Sequence, residues 1–172
     1  NRCIIKNFDI NIKIMNYENN SSKSKGYGVL CSSNFGARGA NNVIKDCTVH
    51  CNNMGDGAGG IVGSHAGFEG SLVISGCTYI GNLNMMYSDG YTSCGGITGN
   101  NLGEKGRVLI YNCKTLGHIY CNYSGGICAE NVGANGGIVV ISNCTMAGNI
   151  KGDSAMERGS GGICGGYCGI DM

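Results

Sequence analysis

The sequence has no apolar run long enough to cross a membrane, no sustained helical period of apolar residues and no concentrated stretch of Lys and Arg. The first two absences argue against a membrane insertion in this segment and against a helical fold. The third argues against nucleic acid as a partner, because phosphate binding needs a concentrated basic surface. The net charge is +1, and proline and tryptophan are absent. Only 13% of the residues are charged, whereas 42% are apolar.

Glycine is abundant, with 33 of the 172 residues, yet the chain also has the Ile, Val and Leu that disordered glycine-rich chains lack. This composition is typical of short strands joined by many tight turns. Nothing marks a linker, so we interpret residues 1–172 as a single β-solenoid segment. The repeat described next is cut out of phase at both ends. We therefore expect the segment to be part of a longer repeat chain.

One unit recurs about five times along the chain. The segments that begin at Gly59, Gly95 and Gly125 match one another, and a weaker copy precedes them. The glycine of the first turn recurs at intervals of 31, 36, 30 and 36 residues. The longer intervals contain insertions near Tyr87 and Met156, which we expect to place loops along one edge. The turn glycines are Gly36, Gly67, Gly103, Gly133 and Gly169.

Isoleucine occupies one position of every unit, between residues that alternate with a period of two. This period places the isoleucine column inside and the neighbouring Lys, Ser and Tyr column outside. The predicted structural core column is Ile5, Ile44, Ile74, Ile110 and Ile141. Two residues later stands an Asn, Asp or Gly, residue types that tolerate left-handed backbone angles and predict a sharp corner. The corner residues are Asn7, Asp46, Gly76, Asn112 and Asn143.

Two further short strands complete the predicted unit. The second strand carries Leu30, Ile61, Ile97, Ile127 and Ile163, and the third carries Leu83, Ile119 and Ile150. Three strands in 30 to 36 residues predict a roughly triangular coil. The predicted fold is therefore all-β: a right-handed parallel β-helix of about five coils, its hand taken from the usual crossover preference. Each coil would rely on its neighbours to bury its apolar face.

The cysteines allow three interpretations. Four of them follow the corner residue and predict an inward ladder of packed free thiols, because stacked parallel Cβ vectors disfavour a disulfide torsion. This thiol ladder is Cys47, Cys77, Cys113 and Cys144. Better disulfide candidates are Cys47–Cys51, Cys164–Cys168 and the insertion-side cysteines Cys94 and Cys121. A zinc site is the third interpretation, and the absence of a CxxC pair argues against it.

The pattern GG-[IV]-x-G-x-x-x-G, a short β run and then N-C-x-x-x-G-x-[IL] resembles the GLUG repeat. The resemblance covers nearly the whole chain, although Val29 replaces the second glycine in the first copy. GLUG repeats occur in tandem in large surface and secreted proteins, chiefly adhesin-like ones, and similar cysteine-containing copies occur in proteins of giant DNA viruses. The resemblance implies a β-helical stalk or surface element, located extracellularly, on a cell surface or on a virion.

The polar residues predict no catalytic, cofactor-binding or metal site. Acid–base or metal chemistry would require acidic residues that share a column or form a pair on adjacent units, and the acidic residues here do neither. The three histidines, His50, His65 and His118, stand in unrelated columns. We therefore expect a non-enzymatic structural or adhesive rod that presents loops to copies of itself, to neighbouring structural proteins or to surface glycans. The alternatives are a self-assembling filament or virion component, and a β-helical polysaccharide-active enzyme. Candidate glycosylation sequons begin at Asn19, Asn20 and Asn122.

Overall fold

The computed structural model describes residues 1–12, 26–52, 57–84, 92–152 and 159–170, and in these ranges the chain is all-β without a helix. The predicted insertions near Tyr87 and Met156 lie outside the described residues. In chain order the strands are β1 (Ile4–Lys6), β2 (Asp9–Ile12), β3 (Asn41–Lys45), β4 (Thr48–Cys51), β5 (Ala58–Gly59), β6 (Ser71–Ser75), β7 (Thr78–Ile80), β8 (Leu83–Asn84), β9 (Ser93–Gly95), β10 (Arg107–Tyr111), β11 (Lys114–Leu116), β12 (Ile119–Tyr120), β13 (Tyr123–Gly125), β14 (Ile138–Ser142), β15 (Thr145–Ala147) and β16 (Ile150–Lys151).

The described strands form four sheets. Sheet 1 has the order β1-β3-β6-β10-β14 and sheet 2 the order β2-β4-β7-β11-β15. Sheet 3 has the order β8-β12-β16 and sheet 4 the order β5-β9-β13. Every pair of neighbouring strands is parallel. Strands of successive units thus lie side by side, an arrangement compatible with a β-solenoid.

The register of sheet 1 joins equivalent positions of successive units. Ile44 pairs with Ile5 on one side and with Ile74 on the other, and Ile110 pairs with Ile74 and Ile141. A shift by one residue would turn every inward side chain outward, so the buried isoleucines specify this register. Residues at equivalent positions of the sequence repeat are therefore neighbours in the structure.

The strand assignment within a unit differs from the predicted one. Ile61 and its equivalents lie in a turn and not in a strand, and single parallel bridges hold the next residue, as between Val62 and Thr98. The amides of Ile61 and Val62 both donate to the Ile97 carbonyl, which a regular strand does not do. The glycines on both sides weaken strand formation there. Sheets 2 and 4 supply strands that the three-strand interpretation omitted.

The predicted left-handed corner after sheet 1 is confirmed. Asn7, Asp46 and Asn112 have φ angles of 60°, 52° and 55°, and Gly76 and Asn143 have 62° and 50°. Asparagine and aspartate are the residues other than glycine that adopt this region most easily, because their short side chains form local hydrogen bonds. The corner turns the chain from sheet 1 into sheet 2 in every unit.

A second corner, before sheet 3, requires glycine because the backbones of successive units come close together there. The amide of Gly117 donates to the Ala147 carbonyl of the next unit at 3.0 Å, and Gly117 has a φ of 150°. A Cβ atom at Gly117 would overlap the carbonyl oxygen of Gly81, and one at Gly148 would overlap the carbonyl oxygen of Gly117. Backbones of successive units therefore approach each other here more closely than any side chain permits.

Candidate functional site

The predicted core column lies on the inner face of sheet 1. Ile44, Ile74 and Ile110 are fully buried, and Ile5 and Ile141 are partly buried against them. Fully burying an aliphatic side chain of this size contributes about 1.5–3 kcal/mol. This column is thus a source of stability that successive units share.

The four ladder cysteines follow the left-handed corner, and their backbones are joined from unit to unit. The Cys47 carbonyl accepts the Thr78 amide, and the carbonyls of Cys77 and Cys113 accept the equivalent amides of the next units. Cys47, Cys77 and Cys113 are buried free thiols, whereas Cys144 is half-buried. In the first unit Phe8 occupies the same position, and the sequence pattern predicts that it points inward like these cysteines. It is instead 53% exposed.

Each ladder thiol also closes its own corner. Cys47 Sγ donates to the Lys45 carbonyl at 3.2 Å and Cys77 Sγ donates to the Ser75 carbonyl at 3.3 Å. Cys113 and Cys144 repeat this contact two residues back at 3.4 and 3.2 Å. The thiols therefore act as small apolar groups that also satisfy a carbonyl at a tight turn.

Burial and contacts between thiols shift the pKa values of these cysteines in different directions. Burial raises the pKa of Cys47, and burial together with nearby thiols raises the pKa of Cys31 to about 12. The hydrogen bond with Cys77, followed by burial, raises the pKa of Cys113. Because the thiolate is the form that attacks electrophiles and binds metals, a raised pKa suppresses both reactions. The hydrogen bond with Cys113, in contrast, lowers the pKa of Cys77, although burial opposes it.

Cys94 and Cys121 form a disulfide with their Cα atoms 6.0 Å apart, and both residues are buried. The other two predicted pairings, Cys47–Cys51 and Cys164–Cys168, are wrong, because Cys47, Cys164 and Cys168 are free thiols. The bond joins β9 to the residue that follows β12, and the Ser124 hydroxyl donates to the Cys121 carbonyl. The disulfide therefore links two successive units covalently.

Loss of this disulfide should destabilise the chain measurably. The bond closes a segment with a sequence separation of 27, for which loop-closure entropy gives about 3.5 kcal/mol. We expect the free energy of unfolding of the double variant Cys94→Ala/Cys121→Ala to be lower by that amount, and its urea midpoint to fall accordingly. Cys3→Ala, which removes an exposed free thiol, is the control and should unfold like the unaltered chain. Equal unfolding midpoints for the double variant and the unaltered chain would contradict a stabilising role.

The outer face of sheet 1 carries aliphatic residues that the sequence interpretation did not use. One column stands directly before the core isoleucines and is paired in register. It consists of Ile4, Val43, Val73, Leu109 and Val140. Around its last two members lies an apolar patch composed of Leu109, Tyr111, Ile138 and Val140, which are 37%, 39%, 50% and 48% exposed. Contiguous exposed apolar groups of this kind mark interaction surfaces.

A shallow groove of about 390 Å³ runs beside the apolar patch, across the turns that precede sheet 1. Its lining is mostly glycine, alanine and serine, and Ile138 belongs to both the groove and the patch. Lys105, Arg107 and Glu69 give the groove a mixed charge. The groove thus extends the apolar patch with a surface of small residues and polar groups.

The histidines have separate surroundings. His118 Nδ1 accepts the Asn149 amide at 3.1 Å, and the His118 amide donates to Asn82 Oδ1 at 2.9 Å, so His118 belongs to a polar ladder at the corner before sheet 3. His50 Nε2 lies 3.7 Å from Asp9 Oδ1, and His65 occupies a turn with a φ of 54°. In the described ranges no group of three or more His, Cys, Asp or Glu residues could hold a metal ion.

Of the candidate sequons, Asn19 and Asn20 lie outside the described residues. Asn122 is 4% exposed, and its backbone amide donates to Thr92 Oγ1 at 3.3 Å. A glycan needs an accessible side-chain amide, so the burial of Asn122 argues against glycosylation of the folded chain at this position.

The described part of the chain thus has four parallel sheets in register, an inner isoleucine column, a thiol ladder and an outer apolar patch. Comparisons with protein-family models, curated proteins and solved structures found no match. Over the described residues, no helix has the length and apolar character needed to cross a membrane.

Proposed function

We propose that this chain is a non-enzymatic structural element of an extracellular, cell or virion surface: a rigid β-helical rod that assembles with copies of itself or with neighbouring structural proteins. In this proposal the rod is a right-handed β-helix of about five coils. The sequence motifs that resemble the GLUG repeat support the same function, as does the apolar patch on the outer face of sheet 1.

The apolar patch is the observation that carries the proposal. Leu109, Tyr111, Ile138 and Val140 project from two adjacent strands, and nothing in the described chain covers them to the extent that the core isoleucines are covered. Other units place polar residues at some of these positions: Arg107 pairs with Ile138, Ser71 pairs with Arg107, and Asn41 pairs with Ser71. The Tyr111 position is likewise serine in the neighbouring units, at Ser75 and Ser142. The fold therefore does not require apolar groups at the positions of Ile138 and Tyr111, and an interface accounts for them.

The test is self-association of two matched variants. Ile138→Ser/Val140→Thr introduces residues that parallel strands tolerate and should shift the monomer–oligomer equilibrium toward monomer by at least roughly tenfold in sedimentation equilibrium, which corresponds to about 1.4 kcal/mol. The control is Leu116→Ser, which removes a leucine of sheet 2 that is also 37% exposed. Equal association of both variants, or a monomeric unaltered chain at every concentration, would contradict the proposal.

A polysaccharide-active enzyme is distinguished from this rod by turnover. We expect no release of reducing ends or unsaturated products when the purified chain is incubated with acidic polysaccharides. Turnover that is abolished by a single Asp or Glu substitution would replace the structural proposal with an enzymatic one.

A further inference from the structure

Sheet 3 is preceded by the polar ladder, in which the backbone amide of each unit donates to a side chain of the preceding unit. The Asn82 amide donates to Asn52 Oδ1 at 2.8 Å, and the His118 amide donates to Asn82 Oδ1 at 2.9 Å. The Asn149 amide donates to His118 Nδ1 at 3.1 Å. The same contact thus joins three successive pairs of units, and among these three acceptors His118 is the one that is not an asparagine.

His118 is also the acceptor that acid can remove. An asparagine Oδ1 accepts a hydrogen bond at any pH at which proteins fold, because the side-chain amide takes up no proton there. An imidazole nitrogen accepts a hydrogen bond only while it carries no proton. Because Nδ1 accepts the Asn149 amide, the form of His118 that completes the polar ladder is the neutral ring with its proton on Nε2.

Neighbouring contacts hold the His118 ring beside the Asn149 amide. The Leu83 amide donates to the His118 carbonyl at 2.9 Å, and the Ile119 amide donates to the Asn149 carbonyl at 2.9 Å. The ring stacks on Tyr120 with a centroid distance of 5.9 Å and an angle of 28° between the planes. The hydrogen bond from Asn149 to His118 is therefore part of an ordered joint between two units.

The described strands around this joint offer no carboxylate to a protonated histidine. The titratable residues of sheet 3 and of β11 and β13, which flank β12 in the chain, are Tyr120, Lys151, Lys114 and Tyr123. Lys151 pairs with Tyr120, so the charged residue on the neighbouring strand β16 is positive. The Tyr120 ring attracts a cation only weakly at a partly exposed site. These neighbours therefore do not offset the loss of the acceptor when His118 is protonated.

We propose that His118 is an acid-sensitive switch at the joint between β12 and β16. Protonation turns Nδ1 into a donor that faces the Asn149 amide, and two donors form no hydrogen bond. The contribution of this hydrogen bond is complete above the range in which histidine side chains titrate, about pH 6.5, and is lost as the pH falls through that range. Acid should therefore open this corner, whereas the corners at Asn52 and Asn82 stay closed. The switch is independent of the apolar patch and of what the patch binds.

Hydrogen exchange of single backbone amides, measured by NMR spectroscopy, tests this switch. The protection factor of the Asn149 amide would be compared at about pH 7.5 and about pH 5, on either side of the histidine range. We expect it to be about tenfold lower at the acidic pH, because one hydrogen bond is lost. The Asn82 amide, whose acceptor is Asn52 Oδ1, is the internal control and should change by less than about twofold.

Two variants replace a histidine with the asparagine of its own column. His118→Asn keeps an acceptor at either pH, so the protection factor of the Asn149 amide should differ by less than about twofold between the two conditions. His65→Asn copies the left-handed turn residues Asn34 and Asn101 and removes a histidine outside the polar ladder. In this second variant the Asn149 amide should lose its protection at acidic pH as in the unaltered chain.

Two results would overturn the proposal. One is an equal loss of Asn149 protection at acidic pH in His118→Asn, because another titrating group would then cause it. The other is an unaltered chain in which the Asn149 amide has the same protection factor at both pH values. Circular dichroism at the higher pH establishes that the compared chains are folded.

Discussion

Replacing Ile74 with alanine is expected to lower the free energy of unfolding by about 4 kcal/mol. Ile74 is fully buried and is paired with Ile44 and Ile110, so the cavity would have aliphatic walls on two sides. Its strand β6 is hydrogen-bonded to strands on both sides and cannot move inward to fill the space. Urea denaturation followed by circular dichroism measures the effect.

Val73→Ala is the matched control for this variant. Val73 is the preceding residue of the same strand, but it belongs to the outer aliphatic column between Val43 and Leu109 and is only partly buried. We expect a loss of less than about 1 kcal/mol, as is usual for surface substitutions. Similar losses at Ile74 and Val73 would mean that the inner face of sheet 1 is not the core.

Replacing Gly117 with alanine is expected to destabilise the chain by about 4 kcal/mol, at the upper end of the usual range for overpacking and strain. The added methyl group would overlap the backbone of Gly81, and a backbone oxygen cannot move aside as a flexible side chain can. The φ of 150° at Gly117 adds strain for any residue with a Cβ atom. Thermal unfolding of the variant measures the loss.

Gly162→Ala separates the effect of this contact from the loss of a glycine as such. A Cβ atom at Gly162 would have no heavy atom within 4 Å, and its backbone lies outside the left-handed region. We expect a change within about 0.5 kcal/mol, or a small gain because alanine restricts the unfolded chain. A stable Gly117→Ala variant would indicate that successive units are not as close at this corner as described.

The sequence predicted the parts of the fold in which one position recurs with one chemical requirement. Ile44, Ile74 and Ile110 recur because each fills the same inner site, and Asn112 and Asp46 recur because each corner needs a left-handed residue. In these columns the residues are similar because they occupy equivalent positions of successive units, and for the same reason they lie next to one another. Both the pairing of strands and the location of the corner could therefore be inferred without coordinates.

The strand positions were less predictable where glycine is frequent. Ile61 and Ile97 are fully buried like the isoleucines of sheet 1, but the flanking glycines place them in turns held by single bridges. Burial alone does not distinguish a strand from a buried turn, and a short apolar segment carries no decisive period. Sheet 4 was missed for the same reason, since Ala58 and Gly59 carry no strand pattern.

The candidate sites depend on contacts that spacing does not reveal. The column of Val43, Val73 and Leu109 was visible in the sequence, but whether other elements cover it is a property of the fold. The spacing of Cys164 and Cys168 predicted a disulfide, but both are free thiols. Cys94 and Cys121 are far apart in sequence, and only the fold brings their Cα atoms to 6.0 Å.

The equivalence of successive pairings has a consequence for how such a protein changes in length. Ile74 pairs with Ile44 and with Ile110 at equivalent positions, so successive units are joined in sheet 1 by the same strand pairing. Duplication or excision of a whole unit by recombination would leave every joint intact and would alter the span by about 4.8 Å. A gene encoding this chain can therefore lengthen its product by copying, with no new core to be selected.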